Sequence, residues 1–192
     1  MNLSLPTYSS FRDVAQTLQA QPDLELKANP NSINVGLSHS HWCGYDVELR
    51  AGLSFSVIEA DFQKSFYLTA DTADCFLLRF TFCLSGKFNL RFEPAKEELP
   101  ITAGNSYLGA LNGEIALASE FMPLQKLILV RVDIDPLLFK FLIGDRFYAL
   151  PADLRQILAS HGSGCCWQSG PISPAVNVIL HQLLNCPYQD TI

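Results

Sequence analysis

Charged side chains are scarce in this sequence of 192 residues, where Asp, Glu, Lys and Arg make up only 17%. A globular domain usually has about 25%. Disordered chains combine high charge with few apolar residues, whereas 48% of the residues here are hydrophobic, so the composition excludes a disordered chain. The length predicts one folded domain. The low charge indicates that another chain or domain covers part of its surface.

Basic patches are also missing. The 13 Lys and Arg residues are scattered singly and are outnumbered by 19 Asp and Glu residues, which gives a net charge of −6. A domain that binds nucleic acid by itself needs a basic face to neutralise phosphates. We therefore expect no direct contact between these residues and DNA.

The sequence shows no targeting or membrane segment. Residues 1–6 contain no Lys or Arg and no long apolar run, unlike a secretory signal. No apolar run approaches the roughly 18 residues of a membrane span. Two of the six cysteines, Cys75 and Cys83, lie in an apolar segment that is typical of buried thiols. These features predict a cytoplasmic protein with reduced cysteines and no membrane contact.

Signatures of common enzymes are absent as well. The sequence contains neither the hydrolase Gly-x-Ser-x-Gly, nor a P-loop, nor Gly-x-Gly-x-x-Gly. Cys165 or Cys166 would act as a nucleophile only beside an activating base or a helix N-terminus. We interpret both cysteines as plain residues of a Gly/Ser-rich loop. The prediction is a protein that is not an enzyme and needs no cofactor.

Residues 45–135 show apolar side chains with a period of two, which predicts strands with one buried face. The clearest runs span residues 53–57, 76–84, 88–92 and 126–134. Asn-Gly accepts positive φ at both turn positions, so Asn112-Gly113 predicts a hairpin between strands 106–111 and 114–119. Several short strands with turns between them favour a sandwich or barrel.

Other patterns flank this β region. Residues 1–34 begin with a short predicted helix that Ser9 or Ser10 caps, and residues 21–34 are predicted to be irregular. We therefore divide the chain into an N-terminal segment (1–44), a β-barrel (45–135) and a C-terminal helical part of the same domain (136–192).

Helices are predicted at 136–143, 151–158 and 174–184. The expected N-caps of the first and third are Asp135 and Ser173, each followed by a proline at the first helical position. In the third helix, apolar residues recur at intervals of three and four, which predicts a single stripe that packs on the sheet or on a second subunit. Asp133 and Asp135 are spaced for shared acid–base work, but the capping role of Asp135 argues against catalysis.

The strongest metal candidate is the segment from His39 to Cys43. Alternate strand residues would bring His39, His41 and Cys43 onto one face, where imidazoles and a thiolate can bind a metal. The segment also resembles the metal motif of cupins, which implies the carboxylate role for Glu48. The spacing to Glu48 is long, and no later strand supplies another histidine. A polar strand edge or loop is the favoured interpretation, so we predict no metal site.

Three arginines interrupt the apolar strands: Arg79, Arg91 and Arg131. A guanidinium that points into a barrel must pair with a carboxylate or an acidic ligand, because an unpaired buried charge is costly. The favoured alternative for each is the outer face, where the aliphatic stem lies along the surface. The phenylalanines of these strands are first of all core residues, although aromatic walls with a few polar groups also form small-molecule sites.

Four segments resemble the effector-binding half of AraC-type transcription regulators, and especially their siderophore-responsive, pyochelin-type branch. The first, Gly44–Phe55, reads GYDVELRAGLSF. The second is the strand at Leu77–Gly86, which ends in Leu-Ser-Gly. The third is the strand and helix at Leu127–Ile143, and the fourth is Trp167–Tyr188 with its Ser-Pro pair. Together they span about residues 44–190.

The resemblance implies a mainly β fold with C-terminal α structure, namely a cupin-like double-stranded β-helix (jelly-roll barrel) followed by two or three helices. It also implies a small-molecule effector, such as a ferric siderophore, and a homodimer. The helix-turn-helix pair that binds DNA in this family is expected outside these 192 residues. The residues expected to contact the effector are Trp42, Phe55, Arg79, Phe80, Phe82, Phe88 and Tyr107. The alternative is a stand-alone cupin-type enzyme or binding protein that depends on a metal.

Overall fold

The computed structural model describes residues 2–5, 25–29, 32–37, 40–71, 76–93, 97–112, 116–159 and 164–185. The strands are β1 (Asn2–Leu5), β2 (Glu25–Asn29), β3 (Ser32–Leu37), β4 (Ser40–Arg50), β5 (Leu53–Asp61), β6 (Phe66–Asp71), β7 (Phe76–Ser85), β8 (Lys87–Glu93), β9 (Glu97–Thr102), β10 (Asn105–Asn112), β11 (Ala116–Phe121), β12 (Lys126–Ile134) and β13 (Gly164–Pro171). The helices are α1 (Pro136–Ile143), a 3-10 helix (Gly144–Ala149), α2 (Ala152–Ala159) and α3 (Pro174–Leu184).

The strands form two sheets. The eight-stranded sheet has the order β13-β10-β7-β12-β5-β4-β3-β2, and the five-stranded sheet has the order β1-β6-β11-β8-β9. From β5 to β12 the chain crosses repeatedly from one sheet to the other, which is the topology of a jelly-roll barrel. The predicted fold class, mainly β with C-terminal helices, is confirmed.

The two sheets face each other through side chains near both ends of the barrel. The ring of Phe92 on β8 lies 5.0 Å from that of Trp167 on β13, between centroids. Phe62, just after β5, lies 5.3 Å from Phe121 on β11. The Tyr107 hydroxyl on β10 accepts a hydrogen bond from the backbone N–H of Thr102 at the end of β9 (2.9 Å). These contacts define the inward face of each sheet.

The helices cover the opposite face of the eight-stranded sheet. Leu154 of α2 is buried against Leu78, Ala110, Ile134 and Cys166. Leu180 of α3 is buried against Val57 and Val130, with Val176 and Leu184 packed beside it. The apolar stripe of α3 therefore packs mainly on its own sheet. No helix among the described residues is long and apolar enough to cross a membrane.

The predicted helix caps are confirmed. The Asp135 carboxylate accepts from the backbone N–H groups of Leu137 (2.8 Å) and Leu138 (3.0 Å). The Ser173 hydroxyl accepts from Val176 N–H (3.3 Å). Gly52, which has a φ of +77°, supplies the carbonyl that accepts from Asp135 N–H. A Cβ at Gly52 would lie 2.9 Å from the Cβ of Asp135, so this turn needs glycine to approach the start of α1.

Three local predictions are wrong. Asn112-Gly113 does not join a hairpin, because β10 pairs with β7 and β13 whereas β11 pairs with β6 and β8 of the other sheet. Residues 21–34, predicted to be irregular, include most of the paired strands β2 and β3. The segment around Cys165 and Cys166 is strand β13 rather than a loop, and pairing with β10 holds it extended. The predicted N-terminal helix lies outside the described residues.

Candidate functional site

The strands β7 and β12 present different chemistry on their two faces. Their register places Arg79 opposite Asp133 and Thr81 opposite Arg131. Paired residues of neighbouring strands project to the same face. The same two rows contain Trp167 and Tyr107 of the neighbouring strands, whose side chains contact the other sheet. Arg79, Thr81, Arg131 and Asp133 therefore lie on the inward face of the barrel.

Arg79 and Asp133 form a bidentate ion pair. Arg79 Nε donates to Asp133 Oδ1 (2.6 Å), and Arg79 Nη2 donates to Asp133 Oδ2 (2.5 Å). The Arg79 side chain is 9% exposed and that of Asp133 is 22% exposed. Burial lowers the pKa of Arg79, and the charge of Asp133 acts in the opposite direction. Arginine nevertheless stays charged in proteins, so the pair places a buried salt bridge inside the barrel.

Arg131 adds a second guanidinium on the next inward row. Its Nε atom is buried, and burial lowers its pKa against the opposing effect of Asp133 and Asp46. Ser56 lies opposite Arg131, and Ser54 lies opposite Asp133, on β5. We name these inward-facing side chains the polar wall: Ser54, Ser56, Arg79, Thr81, Arg131 and Asp133.

The outer-face expectation is thus wrong for two of the three arginines. Arg79 is buried and Arg131 is on the inward face, because both are in register with residues that contact the opposite sheet. The expectation holds for Arg91, whose side chain is 48% exposed and forms an ion pair with Glu98 at the surface. Strand alternation alone does not reveal which face is covered.

The five-stranded sheet supplies an apolar wall on the other side of the barrel interior. Its inward side chains include Phe88, Leu90 and Phe92 of β8 and Phe121 of β11, all buried. Phe92, whose ring lies 5.0 Å from that of Trp167, is at the polar end of the interior. Phe88 and Phe121, which stack with 5.1 Å between ring centroids, lie beside Phe62 at the other end. A site between the walls would offer charged and hydroxyl groups on one side and aromatic surface on the other. That combination suits a small molecule with both polar and apolar parts.

The other end of the barrel interior is apolar on both sheets. One inward row beyond Arg131, the sheet carries Cys83, Leu129 and Ile58, which are buried. Burial raises the pKa of the Cys83 thiol to about 11, so this cysteine is the buried hydrophobe that the sequence predicted. The second such prediction, Cys75, lies outside the described residues. Among the described residues, the Arg79–Asp133 ion pair and Arg131 therefore lie toward one end of the interior, away from Cys83 and Leu129.

The predicted effector residues divide between the two faces of the eight-stranded sheet and the apolar wall. Arg79 and Tyr107 lie on the inward face, and Phe88 lies on the apolar wall. The other three phenylalanines lie on the helix-covered face: Phe80 packs in the core around Leu154, and Phe55 and Phe82 pack in the core around Leu180. The side chain of Trp42 lies outside the described part of the structure, so its role stays a prediction.

The metal candidates do not converge within the described residues. Cys43 lies opposite Glu59 on the sheet, and His41 lies opposite Asp61. Glu48 pairs with Ser54 of the polar wall, so its side chain projects from the face of β4 opposite to that of His41 and Cys43. His39 lies outside the described residues. The residues that the structure describes contain no group of three His, Cys, Asp or Glu side chains arranged for a metal.

The sequence reasoning missed Gly109 and Trp167. Gly109 lies between Arg79 and Trp167 in one row of the sheet. A Cβ at Gly109 would lie 2.3 Å from Cη2 of Trp167, so the indole lies directly over the glycine. A glycine inside a predicted strand signals such a close approach. The partner was not predictable because β13 was interpreted as a loop.

Comparisons place this chain among known proteins. The family model described as "Regulatory protein PchR N-terminal domain" matches residues 40–192. No curated protein matches.

Several solved structures are similar to this chain at low identity. The pirin YhhW of Escherichia coli in complex with nickel(II) is 13% identical, with 78% of this chain and 58% of that chain covered and a TM-score of 0.47. ToxT of Vibrio cholerae is 10% identical, with 69% and 47% covered and a TM-score of 0.47. The Cnp3 cupin domain of Schizosaccharomyces pombe is 8% identical, with 64% and 77% covered and a TM-score of 0.40. This chain matches only about half of the length of the first two proteins.

Proposed function

We propose a function from the family to which the chain belongs, which is that of the N-terminal domain of the regulatory protein PchR. The chain is the ligand-sensing and dimerisation domain of an AraC-type transcriptional regulator. The effector binds inside the barrel, between the polar wall and the apolar wall. Binding stabilises one arrangement of the domain and thereby shifts the orientation of DNA-binding segments outside these residues.

The observation that supports this proposal is the buried ion pair between Arg79 and Asp133 on the inward face. Taking both charges out of water is costly, and apolar residues of similar volume often serve a core equally well. A salt bridge at the polar end of a barrel is therefore better explained by recognition than by packing. The hydroxyls of Ser56 and Thr81, both buried, extend the same polar surface.

The first effector class to test is a ferric siderophore, as the resemblance to the pyochelin-type branch implies. A thermal-shift titration with ferric phenolate siderophores measures binding directly. A ligand present at about 100 times its Kd adds about 2.7 kcal/mol to the free energy of unfolding, which raises Tm by several degrees. If no ferric siderophore raises Tm, the siderophore assignment is wrong.

A double variant and a surface control then test whether the effector binds at the polar wall. Replacing Arg79 by Met and Asp133 by Leu together removes both charges and keeps apolar volume. We expect this double variant to remain folded and to lose the siderophore-induced shift. Arg91→Gln, which changes a surface arginine instead, is expected to keep it. An equal shift in all three proteins would place the effector elsewhere.

The dimerisation part of the proposal rests on apolar side chains that the fold leaves exposed on α1. Leu137 and Phe141, one helical turn apart, are 77% and 80% exposed, and Lys140 and Asp145 supply both charge signs beside them. A patch with both charge signs can be self-complementary across a two-fold axis. We expect Phe141→Glu to convert a dimer into a monomer in light scattering, whereas Glu98→Gln keeps the dimer. A monomer before mutation would contradict the proposal.

A further inference from the structure

Trp167 occupies a confined position inside the barrel. Its six-membered ring lies over Gly109, where an added Cβ would meet Cη2 at 2.3 Å and Cζ3 at 2.4 Å. On the five-stranded sheet, Phe92 lies 5.0 Å away between ring centroids, with an interplanar angle of 42°. The indole is therefore held between the two sheets, in the same row as the Arg79–Asp133 pair.

The indole nitrogen of Trp167 is buried and has no hydrogen-bond partner among the described residues. A buried tryptophan N–H usually finds an acceptor, because a donor that loses water without gaining a partner costs free energy. Moving the ring is difficult, since Gly109 and Phe92 confine it. The acceptor is therefore expected to come from a molecule that enters the barrel.

The neighbourhood indicates the chemistry of that acceptor. Arg79 lies two strands from Trp167 in the same row, and its partner Asp133 lies one strand further away. The charged group of this row that is nearest to the indole by strand order is therefore a cation, which donates hydrogen bonds as the indole N–H does. A carboxylate accepts such bonds at its two oxygens. Phe92 and Leu90, both buried, offer apolar surface for the rest of the molecule.

We propose that Trp167 is a binding residue whose indole N–H donates to a carboxylate oxygen of the bound small molecule, while the apolar part of that molecule rests against Phe92. Gly109 is the positioning residue that lets the indole lie in this place. The proposal rests on the proposed function, because it assumes that a small molecule enters the barrel, but it does not depend on which effector is the natural one.

The direct test uses sodium benzoate as the probe and the unmodified protein labelled with ¹⁵N at its two indoles. The resonance that disappears in Trp167→Phe identifies the Trp167 indole. We expect benzoate to move this resonance in a saturable way, because a new hydrogen bond to oxygen changes the shielding of the proton. Benzylamine has the same ring with a positive charge and is expected to leave it unmoved. Benzamide, a neutral acceptor, is expected to bind more weakly than benzoate.

Variants give the second measurement, the benzoate Kd by calorimetry. We expect Trp167→Phe to weaken binding about tenfold or more, which corresponds to one hydrogen bond to a charged group. Gly109→Ala is expected to weaken it comparably by displacing the ring. The control is Gln168→Ala, which changes the adjacent residue of β13 on the opposite face and should leave Kd unchanged.

The outcomes separate this proposal from the effector assignment. An indole resonance that no probe moves, or an equal Kd for benzoate in Trp167→Phe and the unmodified protein, overturns the proposal even if a ferric siderophore binds. The first of these results would mean that water satisfies the N–H. Equal binding of benzoate and benzamide overturns the carboxylate assignment. A shifted resonance without any siderophore binding supports the Trp167 site and contradicts the siderophore assignment.

Discussion

The two faces of the eight-stranded sheet are made by alternate residues of the same strands, yet their chemistry differs sharply. On β7, Leu78 and Phe80 pack beneath the helices, whereas Arg79 and Thr81 face the barrel interior. On β12, Val130 and Ile134 lie beneath the helices, and Arg131 and Asp133 face inward. The helix-covered face of these strands is therefore apolar, whereas the inward face carries charged and hydroxyl groups at one end.

This difference shows that a correctly identified strand period does not tell which face of the strand points into the barrel. An apolar face must be covered, but either a second sheet or a layer of helices can cover it. Here α1, α2 and α3 cover the apolar face. One end of the barrel interior carries the Arg79–Asp133 ion pair, where each charge is compensated by its partner because an unpaired buried charge is costly.

The largest loss of stability is expected when one partner of the inward ion pair is removed. Asp133→Asn leaves the buried Arg79 guanidinium without its opposite charge, so we expect the free energy of unfolding to fall by about 3–5 kcal/mol. Urea denaturation measures it. Glu98→Gln breaks the exposed pair with Arg91 and is expected to cost less than about 1 kcal/mol. Similar losses in the two variants would mean that the inward pair is solvated like the surface pair.

The helix-covered face should respond through packing instead. Leu78 is fully buried beneath the helices, and Leu78→Ala is expected to lower the free energy of unfolding by about 2–5 kcal/mol through lost contacts and a cavity. Effector binding should be retained in this variant at temperatures where it is folded. A loss of binding in the folded variant would show that the two faces are not independent.

A smaller effect tests how the helices hold that apolar face. Ser173→Ala removes the side chain that accepts from Val176 N–H at the start of α3. The expected loss is about 1 kcal/mol, again by urea denaturation. Ser169→Ala, which changes an exposed serine of β13, serves as the matched control. Equal losses in the two variants would contradict a capping role.

The smallest change in stability is expected when both charges of the inward ion pair are removed together. The double variant with Arg79→Met and Asp133→Leu makes the inward face apolar as well, and its free energy of unfolding is expected to stay within about 1 kcal/mol of the original or to rise. Calorimetry or urea denaturation decides this. A loss as large as that of Asp133→Asn would show that the pair is needed for folding, which would weaken its proposed role in recognition.

Much of the architecture was predictable because it depends on local pattern. The period of two identified strands β5, β7, β8 and β12, and the caps at Asp135 and Ser173 placed α1 and α3 correctly. Strands β2, β3 and β13 were missed because their pairing partners, rather than their own composition, keep them extended. The hairpin predicted at Asn112-Gly113 was wrong because β10 and β11 belong to different sheets.

Among the candidate site residues, Arg79, Phe88 and Tyr107 were placed on the two faces that look into the barrel, and Phe55, Phe80 and Phe82 were not. Trp167 and Gly109 were unpredictable as a pair, since they are 58 positions apart in sequence and meet only through the pairing of β10 with β13. Asp133 was noticed as a carboxylate but not as the partner of Arg79, 54 residues away.

The sequence alone determined which side chains share a face, where helices begin and that the basic residues are few and scattered. Each of these follows from local periodicity, capping or composition. The tertiary structure decided which face is inside, because that depends on where the helices pack and which sheet each strand joins. The sequence has few charged residues, and the tertiary structure places two of them, Arg79 and Asp133, as an ion pair inside the barrel.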